Sequence, residues 1–295
     1  MTDDIVLDKE GFITIDSLDF SGSYKNCRSG IYTIAWADYS QEPRLGKYVL
    51  LERKKIILQG FLKRPNDGKV ADNGNFILND WLFGEGLKGE FFAFDRSGKP
   101  LSTRSYLANL LNNGLSVDGN YAVCQAAMSN TTDCCILSFF DLNKSQLVCE
   151  KIPITRQADH YFFDTEKCIL QLIYKGIGRF RYSFTGEFLD HDRWEEARIQ
   201  HGTGFDIFNI ALEKIRDLGN EFTTDGTQEI IRILNMSLLR LASFPYQLAK
   251  VHRFLGEIYE ELGQLELAVM NYETALSYYP KIGVQKKTRY LKERL

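Results

Sequence analysis

A turn-and-strand unit recurs through the first two thirds of this 295-residue chain, and its period leaves few folds open. Four segments align: Arg28–Ile34, Asp72–Leu78, Val117–Val123 and Asp164–Leu170. Their anchors, Gly30, Gly74, Gly119 and Glu166, are 44, 45 and 47 residues apart. Three anchors are glycine, which takes the positive φ of a tight turn without a steric cost. Each of those three is followed two residues later by an aromatic (Tyr32, Phe76, Tyr121) that alternation along a strand turns to one face. A second phase has the same period. Phe92–Leu101, Leu137–Leu147 and Phe180–Leu189 each read as an apolar strand, a polar turn and a returning strand, with Tyr48–Leu58 a poorer copy. The turn markers Glu52, Asp95, Asp141 and Thr185 are spaced by 43, 46 and 44.

Short strands and hairpin turns at a period of 40–50 residues mark β-propeller blades. By period and turns the region resembles a diverged propeller of the WD-repeat or quinoprotein kind, although the G-H, W-D and double-glycine signatures are absent. The resemblance implies a small propeller-like antiparallel repeat domain of about four blades over residues 1–198. The opening stretch Ile5–Ile15 is expected to supply a strand that closes the ring onto the last blade. An open meander or a β-sandwich is the alternative.

The pattern changes near Leu189. Asp192–Arg198 reads as a helix start, and from Phe205 the apolar residues Phe208, Ile210, Ala211, Leu212, Ile215 and Leu218 give helical spacing. Thr223–Glu229 is read as a turn rich in N-cap residues, followed by a helix towards Pro245. The stretch from Ala249 to Pro280 is the most explicit. Gly256, Ala268 and Ala275 supply small residues where helices can cross closely. Leu255, Tyr259 and Tyr272 supply large ones, and Pro280 stops the second helix. With Gly263, these positions resemble a tetratricopeptide repeat (TPR). The resemblance implies TPR-like helical hairpins over residues 199–295, with Val284–Leu295 as a packing helix. It also implies a concave groove lined by Lys250, Arg253, Glu257, Glu260 and Glu261 that holds another protein or peptide. Arg253 falls at a position used to clamp a C-terminal carboxylate, but Glu257 stands where that clamp has Asn.

Composition narrows the remaining classes. A formal net charge of -3 argues against a nucleic-acid or anionic-membrane binder driven by bulk charge. The basic tail residues Lys286, Lys287 and Arg289 are a local candidate for phosphate contact, weighed against a helix-capping role. No apolar run is long enough to span a membrane, and the acidic start is unlike a secretory leader, so a cytoplasmic location is expected. Six cysteines without a C-x-x-C pair read as reduced thiols, and adjacent Cys134 and Cys135 are expected on opposite faces of a strand. Asp190–Glu196 with His201 carries nitrogen and carboxylate donors but no metal-site spacing. His160 reads as a loop or strand-edge residue and His252 as a packed one. Gly84–Gly89 spells G-x-G-x-x-G between strands, not at a helix start, so its phosphate-binding rationale is missing. No catalytic residue, metal or cofactor is assigned. The expectation is a non-catalytic protein–protein interaction adaptor or scaffold, with self-association through exposed blade edges as a further possibility. The alternatives are a hydrolase or lyase at a propeller channel, and an accessory subunit of a nucleic-acid-associated or bacterial-conflict complex.

Overall fold

The computed structural model describes residues 5–38, 45–82, 86–155, 157–219, 224–241 and 243–295. The chain divides into two compact units, Met1–His191 and Asp192–Leu295. The expected order of a β-repeat unit followed by helical hairpins is found.

Among the described residues, the first unit contains four antiparallel sheets, each built from strands that are consecutive in sequence. The first has six strands: β1 (Ile5–Leu7), β2 (Phe12–Ile15), β3 (Phe20–Asn26), β4 (Tyr32–Ala37), β5 (Gly46–Glu52) and β6 (Lys55–Leu62). The second comprises β7 (Pro65–Val70), β8 (Phe76–Asp80), β9 (Gly89–Phe94) and β10 (Pro100–Tyr106). The third comprises β11 (Leu110–Leu115), β12 (Tyr121–Ala126), β13 (Leu137–Asp141) and β14 (Gln146–Lys151). The fourth has β15 (His160–Asp164), β16 (Ile169–Tyr174) and β17 (Gly178–Ser183), with a fourth rung reduced to the Tyr182–Phe188 bridge.

The sequence period becomes hydrogen bonds between equivalent turns. Gly30, Gly74 and Gly119 all have positive φ (74°, 87° and 72°). Ser29 N–H donates to Asp72 Oδ1 at 2.8 Å, Asp72 N–H to the Val117 carbonyl at 3.0 Å, and Asn75 Nδ2 to the Gly119 carbonyl at 3.0 Å. The first turn is thus tied to the second and the second to the third. In the fourth copy the positive φ falls on Cys168 (53°), not on the expected Glu166: in every copy it is the fourth residue after the preceding strand, and this turn ends there, having four residues where the others have five.

In the second and third sheets, which each lie between two neighbours, the central strands β8, β12 and β13 are buried on both faces. Tyr32, Ile34 and Trp36 of β4 pack with Phe76, Leu78 and Phe94 of the second sheet. Ile77, Phe91 and Ala93 point the other way, onto Ala122, Cys124 and Phe140 of the third. Phe91 and Phe140 stack with centroids 4.7 Å apart. Between the third and fourth sheets, Phe139 meets Phe163 at 6.3 Å and Phe184 at 4.7 Å.

The opening strands do not close a ring. β1 and β2 pair with each other and with β3, extending the first sheet. Ile13, Ile15 and Phe20 share one face with Ala35, Val49 and Leu51, and all six are almost fully buried. One face of a single sheet can be buried this way only if the sheet coils over itself. Tyr24 Oη donating to the Asp8 carbonyl at 2.8 Å, and Lys47 Nζ to the Leu18 carbonyl at 3.4 Å, hold the fold-back. The physical reason is register. Ile13 and Ile15 alternate onto the buried face beside β3, and this satisfies both their apolar surface and the β3 edge.

The second unit contains α1 (His191–His201), α2 (Gly204–Leu218), α3 (Thr224–Arg240), α4 (Pro245–Glu261), α5 (Leu265–Tyr278) and α6 (Gln285–Lys292). Thr203 and Asp206 form a reciprocal capping box at α2. The turn expected over Thr223–Glu229 is already helical from Thr224. Thr223 lies outside the described residues. Ile207, Phe208, Ile210, Ile230, Ile233 and Leu234 join Leu248, Val251, Leu255 and Ile258 in one core. Ala249, Ala268, Val269, Tyr272, Ala275 and Leu291 form a second.

Candidate partner-binding groove

Pro245 occupies the first turn of α4, where its missing N–H costs nothing. Leu248, Val251, Leu255 and Ile258 then form the buried face of this helix. Ala249 and Gly256 form a second buried strip facing α5. A Cβ added at Gly256 would lie 2.5 Å from the Tyr272 ring, so the two helices approach through that glycine. Tyr272 is fully buried, and its hydroxyl donates to Glu260 at 2.7 Å. Burial, and then the bond to that carboxylate, push the phenol far above its ordinary range.

With two strips of α4 committed to packing, Tyr246, Lys250, Arg253 and Glu257 follow one another on the remaining face at spacings of three and four. This face forms one wall of a cavity of about 430 Å³. Phe208 and Leu212 of α2, with Phe254 of α4, contribute apolar surface; Tyr279, Lys281 and Ile282 beyond α5 complete the lining. The Lys250 ammonium lies 4.8 Å over the Tyr246 ring, and Tyr246 meets Tyr279 edge-on at 5.0 Å. Arg253 Nε donates to Glu257 Oε1 at 2.8 Å. Cations on an aromatic floor suit a ligand that offers both a carboxylate and an apolar group.

The expected site residues separate here. Lys250 and Arg253 line the cavity, and Glu257 touches it through Arg253. Glu260 instead joins Tyr272 and Lys287, whose Nζ lies 2.9 Å away, on the side facing α6. Glu261 is exposed near the end of α4. Lys287 also sits 5.7 Å over the Tyr272 ring, while Lys286 and Arg289 are exposed on α6. Tyr246, Phe254, Tyr279 and Lys281 were not singled out from sequence. The first two lie four residues either side of Lys250, a signal that helical spacing carries.

The other candidates resolve into structure. Asp190 is buried and accepts Arg181 Nη2 at 2.6 Å and the Arg181 amide at 2.7 Å, which ties β17 to the residue just before α1. His252 Nδ1 lies 3.0 Å from Asn271 Oδ1, with its ring stacked on Tyr278. His160 opens β15. No group of three His, Cys, Asp or Glu side chains is placed to hold a metal among the described residues. Of the G-x-G-x-x-G stretch, Gly84 and Glu85 lie outside the described residues, and Gly89 starts a strand, not a helix. Among the described residues no helix is long and apolar enough to cross a membrane.

The expectation for Cys134 and Cys135 is corrected. They lie in the turn between β12 and β13, and their Sγ atoms are 3.6 Å apart on the same side. Cys135 has φ 60°, which abolishes the alternation a strand would impose.

No known family profile matches the chain, and no curated protein matches it. Solved structures do align with it. One is the β-propeller domain of Cps50 (Swd1) from Myceliophteria thermophila, at 10% identity and TM-score 0.37, covering 54% of this chain and 51% of that one. Another is the Dos1 propeller, at 8% identity and TM-score 0.41, covering 63% of this chain and 58% of that one. The chain therefore spans about half of the first and under two thirds of the second. The four successive sheets, and not these alignments, define the architecture.

Proposed function

We propose that this chain is a non-catalytic adaptor whose TPR-like helical unit grips an acidic peptide segment carrying an apolar anchor, while its propeller-like sheets present a second protein-binding surface. The observation that carries the reading is the α4 face. Lys250 and Arg253 border the same cavity as Tyr246, Phe254 and Tyr279. A rigid helical stack with preset side chains loses little ordering entropy on binding. Arg253 is already paired with Glu257, so an incoming carboxylate must exchange with that partner, which favours a ligand with more than one negative charge.

The test uses the full chain immobilised against an array of peptides that vary in acidity and in one aromatic or aliphatic anchor. Acidic anchored peptides are expected to bind, and Lys250→Glu with Arg253→Glu is expected to weaken them by at least about tenfold, the loss of one charge-assisted contact. Binding that favours basic peptides, or that survives the double charge reversal, overturns the proposal. Nucleic-acid binding abolished by reversing Lys286 and Arg289 would favour an accessory subunit instead.

A further inference from the structure

The Cys134–Cys135 turn has features that the adaptor reading leaves unused. The two sulfurs are 3.6 Å apart, close to van der Waals contact. Each faces a donor: Ser129 N–H lies 3.4 Å from Cys134 Sγ, and Gln157 Nε2 lies 3.8 Å from Cys135 Sγ. The backbone here is hydrogen-bonded in the dithiol form. Cys134 N–H donates to the Thr131 carbonyl at 3.2 Å, and Cys135 N–H to the Ala127 carbonyl at 3.2 Å. Gln125 Nε2 donates to the Cys135 carbonyl at 3.4 Å. Buried Asp133 anchors the turn by accepting Leu107 N–H at 2.7 Å and Arg104 Nη2 at 3.1 Å. A left-handed backbone at a non-glycine residue is uncommon, and here it brings both thiols to one partly exposed side.

We propose that Cys134 and Cys135 form a reversible oxidation site, a vicinal dithiol that closes to a disulfide on reaction with a hydroperoxide. In the first step the Cys134 thiolate attacks one peroxide oxygen. The O–O bond breaks, Cys134 becomes a sulfenic acid, and the departing oxygen takes up the thiol's proton and leaves as water or an alcohol. In the second step the Cys135 thiolate attacks the Cys134 sulfur. The S–O bond breaks and the hydroxide leaves as water with the Cys135 proton. Two electrons pass from the two thiols to the peroxide. Cys134 is the first nucleophile because a backbone donor, the Ser129 N–H, lies 3.4 Å from its sulfur, while burial pushes the Cys135 thiol up.

Adjacent Cα atoms are about 3.8 Å apart, less than the usual disulfide span, so ring closure requires the turn to give. Asn130, Thr131 and Thr132 are exposed and free of core packing, so the displacement is confined to this loop. The other thiols provide internal controls. Cys27 and Cys124 are buried, and Cys168 is exposed.

The experiment treats the full chain, carrying Cys168→Ser to prevent cross-linking, with hydrogen peroxide, followed by alkylation, digestion and mass spectrometry. The peptide containing residues 134–135 is expected to lose two hydrogens, resist alkylation, and recover both properties after dithiothreitol. The rate should rise with pH, since the thiolate and not the thiol is the nucleophile. Cys134→Ser and Cys135→Ser should each abolish the hydrogen loss, and Cys135→Ser should leave a sulfenic acid that a cyclic diketone traps. If both thiols stay alkylatable, or each proceeds separately to sulfinic acid, the proposal fails. Because the main readout is on wild-type residues 134 and 135, poor folding of either serine variant does not rescue it.

Discussion

Gly256 gives the sharpest test of how the helical unit is packed, because two effects predict opposite signs. In a helix interior, Gly→Ala stabilises by about 1 kcal/mol through propensity alone. Here the added Cβ lies 2.5 and 2.6 Å from Tyr272 ring carbons, far inside contact distance. The ring has little room to retreat, since Tyr272 is fully buried and its hydroxyl is bonded to Glu260. Overpacking of this kind costs about 1–3 kcal/mol, so Gly256→Ala should be destabilising by roughly 1 kcal/mol after the propensity gain. Gly256→Val, β-branched and larger, should cost about 3 kcal/mol. The assay is urea unfolding followed by helical circular dichroism, with a drop in midpoint of about 0.5–1 M for the alanine variant. In a Tyr272→Leu background the same alanine should become neutral or stabilising, a coupling of about 1–3 kcal/mol. A midpoint raised by Gly256→Ala in the wild-type background would refute the close-approach argument, as would the absence of rescue by Tyr272→Leu.

Two further outcomes concern the sheets. The Ser29 amide, first among several causes, holds the Asp72 carboxyl below its ordinary value. Its folded pKa is thus depressed, so its contribution is complete above the unfolded value of about 4 and is lost as pH falls through the folded value. The stability gap between wild type and Asp72→Asn should therefore shrink below about pH 4, as read from urea midpoints across a pH series; a constant gap would exclude the linkage. Asp133→Ala should cost about 1–3 kcal/mol by leaving the Leu107 amide and Arg104 without their acceptor. Faster hydrogen exchange at Leu107 would locate the effect, and unchanged exchange would contradict it.

The repeat was legible because its turns use residues with a distinctive physical need. Gly74 and Gly119 adopt positive φ, and a Cβ at Gly119 would lie 2.3 Å from Asn73 Oδ1, so that side chain would have to move. The hairpin between β5 and β6 was harder to see because Arg53 and Lys54 make its turn with φ of 47° and 62°, and neither residue type announces such a turn. Cys168 hid the fourth anchor in the same way. Tyr272 in the hole at Gly256 was readable, since small and large residues at helical spacing imply a crossing. The groove itself was half legible. Lys250 and Arg253 follow from α4 alone, but Tyr279 and Lys281 reach it from beyond α5, a juxtaposition set by tertiary packing. Placement of β1 and β2 was misjudged because strand pattern specifies which face is apolar, not which neighbour covers it. The thiol pair was misjudged because alternation applies only to extended backbone.

The fold-back of the first sheet has a bearing on assembly. With Ala35, Val49 and Leu51 sealed beneath Ile13, Ile15 and Phe20, one end of the sheet array is already plugged. At the other end the fourth sheet turns Phe162 outward, with His160, Arg179 and Arg181 on the same face. Two copies that meet through this face, patch on like patch, would close as a two-fold pair, whereas a head-to-tail chain needs a complementary patch elsewhere on the surface.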